Sequence, residues 1–305
     1  MRTVRAYLQG GLGNQCFIYA TARALSLRAG ASLELDFDYF KEDKVYRRQF
    51  ELDAYQIAGS WKLGSCKPIR VAKKIRYAVA SKLRLNGLGN YQNDYYPYPY
   101  RELPTMWRGA LTLDGYWQSE RYYYDAREQL LQDFQLKDKS WMEADKIAMA
   151  IQGAKCPVFV HMRSYKEVPS NDGAMPVTEH FYEKAIQKLR ERLGKELTLF
   201  LFSDDLLWAQ ERMSRIDAVK GMNVILSNNN GQGGGRDEQI PSNIRDFELL
   251  RMCHHGIVAN SSFSRFAAWL GEQQNLKDGR HPLYIHNSKK KNGYCPDRWM
   301  RIEEE

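Results

Sequence analysis

The chain has 305 residues, 43% of them hydrophobic and 27% charged, which exceeds one ordinary core and excludes a disordered or fibrous protein. A formal charge of +8 favours anionic partners, so nucleic acid, a membrane surface and a phosphorylated ligand all stay open. Five scattered cysteines without a CxxC pair fit free thiols in a reducing compartment.

In chain order, Val4 to Leu8 reads as a strand and GGLGNQ, Gly10 to Gln15, as a turn. Phe17, Ala20, Ala24 and Leu27 then mark one face of a helix that Gly30 can end, and Ser32 to Asp36 alternates as a second strand. This is the opening of a parallel α/β domain. The turn lacks the third glycine of GxGxxG and no GK[ST] follows it, so neither a dinucleotide fingerprint nor a Walker loop is expected.

Residues 60 to 100 are basic, then tyrosine-rich, and the prolines at 97 and 99 predict irregular structure there. From Pro157 the α/β rhythm restarts. PVFVHM is a strand, Thr178 to Leu193 a helix closed by Gly194, LTLFLF a strand, Leu206 to Arg215 a helix and NVIL a strand. A helix from Asn243 to His255, strand IVA, a helix from Phe263 to Leu270 and strand LYIH complete the series. The expected fold is α/β with two Rossmann-like domains facing a central cleft, 1–150 and 151–305, the boundary falling between 140 and 156.

The polar clusters of the second half all stand where a strand stops: His161 and Arg163, then Ser203, Asp204 and Asp205, then Asn260, Ser261 and Ser262. Ligands of open α/β sheets bind outside the carboxyl ends of strands, so these clusters converge if the strands are neighbours. A strand-end arginine can grip a diphosphate, and hydroxyls with helix N-terminal N–H groups from Asn260 to Ser264 can cradle it. Each cluster taken alone is usually something plainer: a satisfied histidine with a surface arginine, an N-cap with a solvated carboxylate, or helix capping. Asp204 and Asp205 are adjacent and point to opposite sides of a strand end, and no carboxylate or histidine cluster completes a metal site, so no metal or other cofactor is expected.

Four landmarks resemble the glycosyltransferase family 11 fucosyltransferases: Gly10 to Gln15, Gly115-Tyr116-Trp117-Gln118-Ser119-Glu120-Arg121-Tyr122, Phe202 to Asp205, and the run DFELLRMCHHGIVANSSFSRFAAWLG from Asp246 to Gly271. The resemblance implies a GT-B-like fold, GDP-β-L-fucose as donor, inversion at the anomeric carbon and transfer to the 2-hydroxyl of a galactose. It implies that Arg163 holds the β-phosphate, that His161 and Asp204 or Asp205, with Ser203 beside them, lie by guanine or ribose, and that Asn260, Ser262, Phe263 and Ser264 line the diphosphate. Gly11, Gly13 and Asn14 would face the fucose and phosphate from the first domain.

Two departures stand out. Family members read H-x-R-R-x-D where this chain reads His161-Met162-Arg163-Ser164-Tyr165-Lys166-Glu167, and carry tryptophan at Arg265. Arg265 or Lys166 is expected to restore the missing positive charge. Glu167, then Asp172, is the candidate general base. Trp117, Tyr116, Tyr122 and the segment from Tyr91 to Tyr100 are acceptor-binding candidates, with core packing an equal alternative. The glycine-rich loop from Ser227 to Gln239 reads as a lid or a surface excursion.

The first thirty residues carry no secretory signal pattern and no run is long enough to span a bilayer, so the cytosol is the expected compartment. The expected acceptor is a galactose-terminated oligosaccharide, lipid-linked in O-antigen or surface polysaccharide synthesis. Lys73, Lys74, Arg76, Lys82 and Arg84 could touch the inner membrane peripherally. The rival class is a basic nucleic-acid-binding protein using those residues and Lys289 to Lys291, but no nucleic-acid module is present and no such partner is expected.

Overall fold

The computed structural model describes residues 1–62, 87–88, 91–94, 100–166, 168, 175–194, 196–227, 240–287 and 295–303. The chain forms two compact α/β units, the first running from Met1 to Lys137 and the second beginning at Asp138.

In the first unit β1 (Thr3–Tyr7) leads into α1 (Leu12–Ala29), β2 (Ser32–Asp36), α2 (Tyr39–Glu42), β3 (Ser60–Lys62), β4 (Gly87–Leu88), β5 (Tyr91–Asp94), β6 (Ala110–Gly115) and α3 (Arg127–Asp133). The sheet order is β3-β2-β1-β6-β5-β4, parallel except between β4 and β5. Helix α1 is buried on nearly every side, and Gly30 ends it in the left-handed region at φ 57° with its N–H returned to Leu27 O at 3.2 Å. The tyrosine-rich stretch departs from expectation: 91–94 is a regular strand, because its register against Thr112 to Gly115 satisfies its backbone in the sheet.

In the second unit the elements are α4 (Lys146–Gly153), β7 (Cys156–Met162), α5 (Glu179–Leu193), β8 (Leu197–Ser203), α6 (Leu206–Ser214), β9 (Asn223–Leu226), α7 (Ser242–Met252), β10 (His255–Val258), α8 (Ser262–Lys277), β11 (Tyr284–Asn287) and β12 (Met300–Ile302). The order β12-β11-β10-β7-β8-β9 is parallel throughout. The chain winds outward from β7 to β9, crosses over, and winds outward again from β10 to β12. That is the doubly wound dinucleotide-binding order, with its switch point between β7 and β10. Phe181, Ala185 and Leu189 recur every four residues on α5 and pack on Val158, Val160, Leu199 and Leu201 of the sheet.

Three boundaries differ from the sequence reading. The units divide at Lys137/Asp138 rather than at 150, because α4 is fastened to the second unit: Asp145 caps it and takes Arg245 Nε of α7 at 2.5 Å. Helix α7 stops at Met252, before the expected His255, since Cys253 is extended and His255 already opens β10. Helix α8 continues past Leu270 to Lys277. It passes through Gly271, where a Cβ would lie 2.8 Å from Arg251 O of α7, so glycine permits the close approach of the two helices.

Gly115 ends β6 at φ 136°, and a Cβ there would lie 2.1 Å from Asp94 O. Gly109 has φ 71° with nothing within 4 Å. Urea denaturation should show Gly115→Ala destabilised by at least about 2 kcal/mol, combining backbone strain with a clash. Gly109→Ala should lose only about 1 kcal/mol, from strain alone.

Candidate functional site

Strands β10, β7 and β8 are neighbours, so the three polar clusters of the second unit share one end of its sheet. Their centre is Asp204, just past β8. Its Oδ1 accepts from Ser164 N at 2.7 Å, and its Oδ2 from Ser164 Oγ at 2.8 Å and from Tyr165 N at 3.2 Å. The same Oδ2 pairs with Arg163 Nη1 at 3.2 Å. One carboxylate therefore shapes the turn after β7 and orients its arginine, whose side chain keeps 20% of its surface exposed.

Asp205 points elsewhere, as adjacent strand-end residues must. Its Oδ1 caps α6 by accepting Trp208 N at 3.0 Å and its Oδ2 accepts Lys166 Nζ; that bond is the main cause holding its carboxyl below the usual range. Ser203 Oγ accepts Asp205 N at 3.0 Å. Lys166 thus spends its charge on the α6 cap.

On the β10 side, Ser261 caps α8, accepting Phe263 N at 3.3 Å. Asn260, Ser262 and Phe263 are half-buried at this helix start, and the Phe263 ring lies 5.8 Å from His161 and 5.4 Å from Phe247. Arg265 is almost wholly buried and turns its Nε back to Ser261 O at 3.3 Å. Two buried polar atoms here, His161 Nδ1 and Ser264 Oγ, find no hydrogen-bond partner among the described residues. Native interiors keep few such atoms, and at a strand-end crevice they suit a polar ligand.

Burial pushes the His161 ring down from 6.5 to about 3, with Arg163 adding and Asp204 opposing. The ring is neutral at working pH and offers one donor and one acceptor. Burial holds His286 at about 4, with Arg265 and Arg301 adding.

In the first unit β1 and β6 are neighbours, and the turns that follow them meet. Gly10 takes φ 76°, and a Cβ on it would lie 2.7 Å from Asn14 Nδ2. Gly11 is the N-cap residue of α1 without a side-chain cap bond, and Gly13 is buried in the first turn. Gln118 Nε2 donates to Asn14 Oδ1 at 2.8 Å and Gln9 Nε2 to Asp114 Oδ1 at 3.3 Å, joining the glycine turn to the GYWQ turn. Gln15 is wholly buried; its Nε2 donates to Gly10 O at 3.0 Å and Gln49 O at 2.9 Å, and its Oε1 accepts Glu51 N at 3.0 Å. Its role is to brace the turn.

The structure decides the acceptor-side aromatics differently. Trp117 and Tyr122 are 0% and 2% exposed and meet edge to face at 5.3 Å, so both belong to the core and offer no face to a sugar. Tyr116 stays half-buried. Glu167 and Asp172 lie outside the described residues, as do 95–99, the loop at 228–239 and the basic residues from Lys73 to Arg84 and at 289–291. Among the described residues no group of three His, Cys, Asp or Glu side chains is placed to share a metal ion, and no helix is long and apolar enough to cross a membrane. The sequence reading passed over Tyr165 and Gln118. Gln118 stood inside a quoted landmark, but nothing in the sequence signals the backbone of Tyr165, which takes φ 59° without being glycine.

The family model described as Glycosyl transferase family 11 matches residues 3–302. An alpha-1,2-colitosyltransferase of Escherichia coli is 29% identical over 99% of this chain and 100% of its own length. The O-antigen biosynthesis glycosyltransferase WbnK of Escherichia coli is 25% identical over 97% of this chain and 99% of its own. Among solved structures, Arabidopsis thaliana FUT1 in complex with GDP superposes with a TM-score of 0.52 at 12% identity, covering 95% of this chain and 72% of that one. At that identity the likeness concerns the fold alone.

The depressed imidazoles carry a pH dependence. Below 6.5 the unfolded chain takes up protons that His161 and His286 refuse in the folded state, so stability is full above pH 6.5 and falls as pH drops towards 4. Urea midpoints between pH 7 and pH 4.5 should fall less steeply for His286→Asn than for the native chain.

Proposed function

The chain belongs to glycosyl transferase family 11, and from that premise we propose that it moves L-fucose from GDP-β-L-fucose to the 2-hydroxyl of a terminal β-galactoside, with inversion. The observation that carries the proposal is the second unit's switch point. There Arg163, the N-terminus of α8 and two buried polar atoms without a partner among the described residues, His161 Nδ1 and Ser264 Oγ, stand at one sheet end. Such a site suits a nucleoside diphosphate.

As the bond from C1 to the phosphate oxygen breaks, negative charge grows on GDP. A preorganised guanidinium and helix-end N–H groups stabilise that charge more than they stabilise the bound donor, which is what lowers the barrier. Asp204 holds Arg163 in place for this task, and the neutral His161 ring contributes a hydrogen bond without opposing the arginine. Within the first unit, Gln118 Nε2 orients Asn14 by donating to its Oδ1. The acceptor hydroxyl attacks from the opposite face, with Glu167 or Asp172 taking its proton. The reaction proceeds without metal, since Arg163 supplies the positive charge. The full-length similarity to WbnK supports O-antigen synthesis as the setting, and a lipid-linked glycan at the inner membrane as acceptor follows from that setting.

A second reading has its own support, the full-length similarity to an alpha-1,2-colitosyltransferase. Colitose is fucose without its 3-hydroxyl. A pocket that bonds that hydroxyl rejects the deoxy sugar by about 10⁴-fold, whereas a pocket shaped for the deoxy sugar rejects the added hydroxyl by only about 10²-fold. The ratio of kcat/KM for GDP-fucose and GDP-colitose, with a panel of β-galactosides and product linkage read by NMR, separates the readings. A large ratio for GDP-fucose and a 1,2 linkage are expected; turnover with neither donor would sink the proposal.

Excess EDTA should leave turnover within about twofold, while Arg163→Ala should lower kcat by about 10²-fold or more, the scale of one lost charge-stabilising group. Abolition by EDTA with rescue by a divalent cation would reverse the metal-free reading.

A further inference from the structure

Tyr165 is held in four ways at once. Its backbone is left-handed at φ 59°, a conformation that a bulky residue keeps only where its surroundings enforce it. Its N–H donates to Asp204 Oδ2 at 3.2 Å, the oxygen that also pairs with Arg163. Its ring centre lies 5.5 Å from the Arg163 guanidinium carbon. Its hydroxyl donates to Asn260 O, across the switch point from β7 to β10.

The ring restricts Arg163 directly, the N–H holds the Asp204 carboxylate that pairs with it, and the Asn260 bond and the left-handed backbone fix the turn that carries it. The guanidinium pairs with Asp204 at 3.2 Å, and a swing about that contact would move it off the strand end. The ring of Tyr165 restricts one face of that swing, and the Asn260 bond stops the turn from lifting away from β10. The left-handed backbone is what lets one residue face Asp204, Arg163 and Asn260 together. The neighbouring Ser164 braces the same turn, its N–H and Oγ both binding Asp204. A site gains from holding its arginine still, because the benefit of a charge in the transition state depends on its not having to reorganise.

The geometry assigns Tyr165 as a positioning residue that locks Arg163 towards the donor diphosphate by tying the turn after β7 to Asn260. The inference rests on the donor-site reading of Arg163. Tyr165→Phe keeps the ring, its face to Arg163 and the backbone, and removes only the tie to Asn260.

The test is a double-mutant cycle with Arg163→Ala, read as GDP affinity by calorimetry and as kcat, with Tm as the structural control. Tyr165→Phe alone should weaken GDP binding and lower kcat by about fivefold to tenfold, the scale of one lost hydrogen bond to a positioned group, with Tm unchanged within about 3 °C. In the Arg163→Ala background the same substitution should change GDP affinity less than about twofold, since no arginine remains to be placed. An equal loss in both backgrounds, or a loss that follows a fall in Tm, makes Tyr165 merely structural and overturns the inference. A silent Tyr165→Phe beside a crippled Arg163→Ala also overturns it while leaving the donor site standing. If Arg163→Ala itself keeps GDP affinity and turnover, the donor-site reading fails and the inference falls with it.

Discussion

The site hangs on the carboxylate of Asp204. It accepts three hydrogen bonds from Ser164 and Tyr165 and pairs with Arg163, so the turn after β7 is built around a residue forty positions away in sequence. Charge-assisted bonds of this kind contribute about 1.5–3 kcal/mol each when partly shielded. Removing that anion would take one shared acceptor from two backbone N–H groups, the Ser164 hydroxyl and the Arg163 guanidinium. The turn, the arginine and the reach of Tyr165 to Asn260 all follow from it.

Asp204 can do this only because β7 and β8 are adjacent and in register, Met162 opposite Ser203. Both strands therefore end at the same height. The crossover from β9 to β10 then sets Asn260 and the start of α8 on the other side of β7. Winding a parallel sheet outward in both directions from its first strand leaves a gap that no connection covers, and the polar residues stand around that gap. The first unit follows the same logic on its own, with the glycine turn after β1 meeting Gln118 after β6.

Much of this was legible in the chain. The apolar runs and their flanking breakers located α1, β2, α5, β8 and β9 closely, and Gly30 and Gly194 marked helix ends as glycine does; only α5 shows the one-face period, since α1 is buried on nearly every side and Leu27, expected on its buried face, is exposed. Where the reading slipped, non-local packing had overridden local preference. Helix α8 runs through Gly271 because α7 presses against it. Residues 91–94 form a strand because β6 offers a free edge. For Trp117 and Tyr122 the sequence left sugar contact and core packing equally open, and the structure chose the core, since burial depends on what surrounds a residue and not on its type.

By itself the sequence determined the two α/β halves, the polar clusters at strand ends and the motifs that match family 11, because these are written in period, position and residue identity. Only the tertiary structure decided that the clusters share one end of one sheet and that Asp204 belongs to the turn of Arg163 while Asp205 belongs to α6. It alone decided that Tyr165 adopts a left-handed backbone. Strand order and side-chain pairing arise from contacts between residues far apart in the chain, and a single sequence records each residue's chemistry without recording its neighbours.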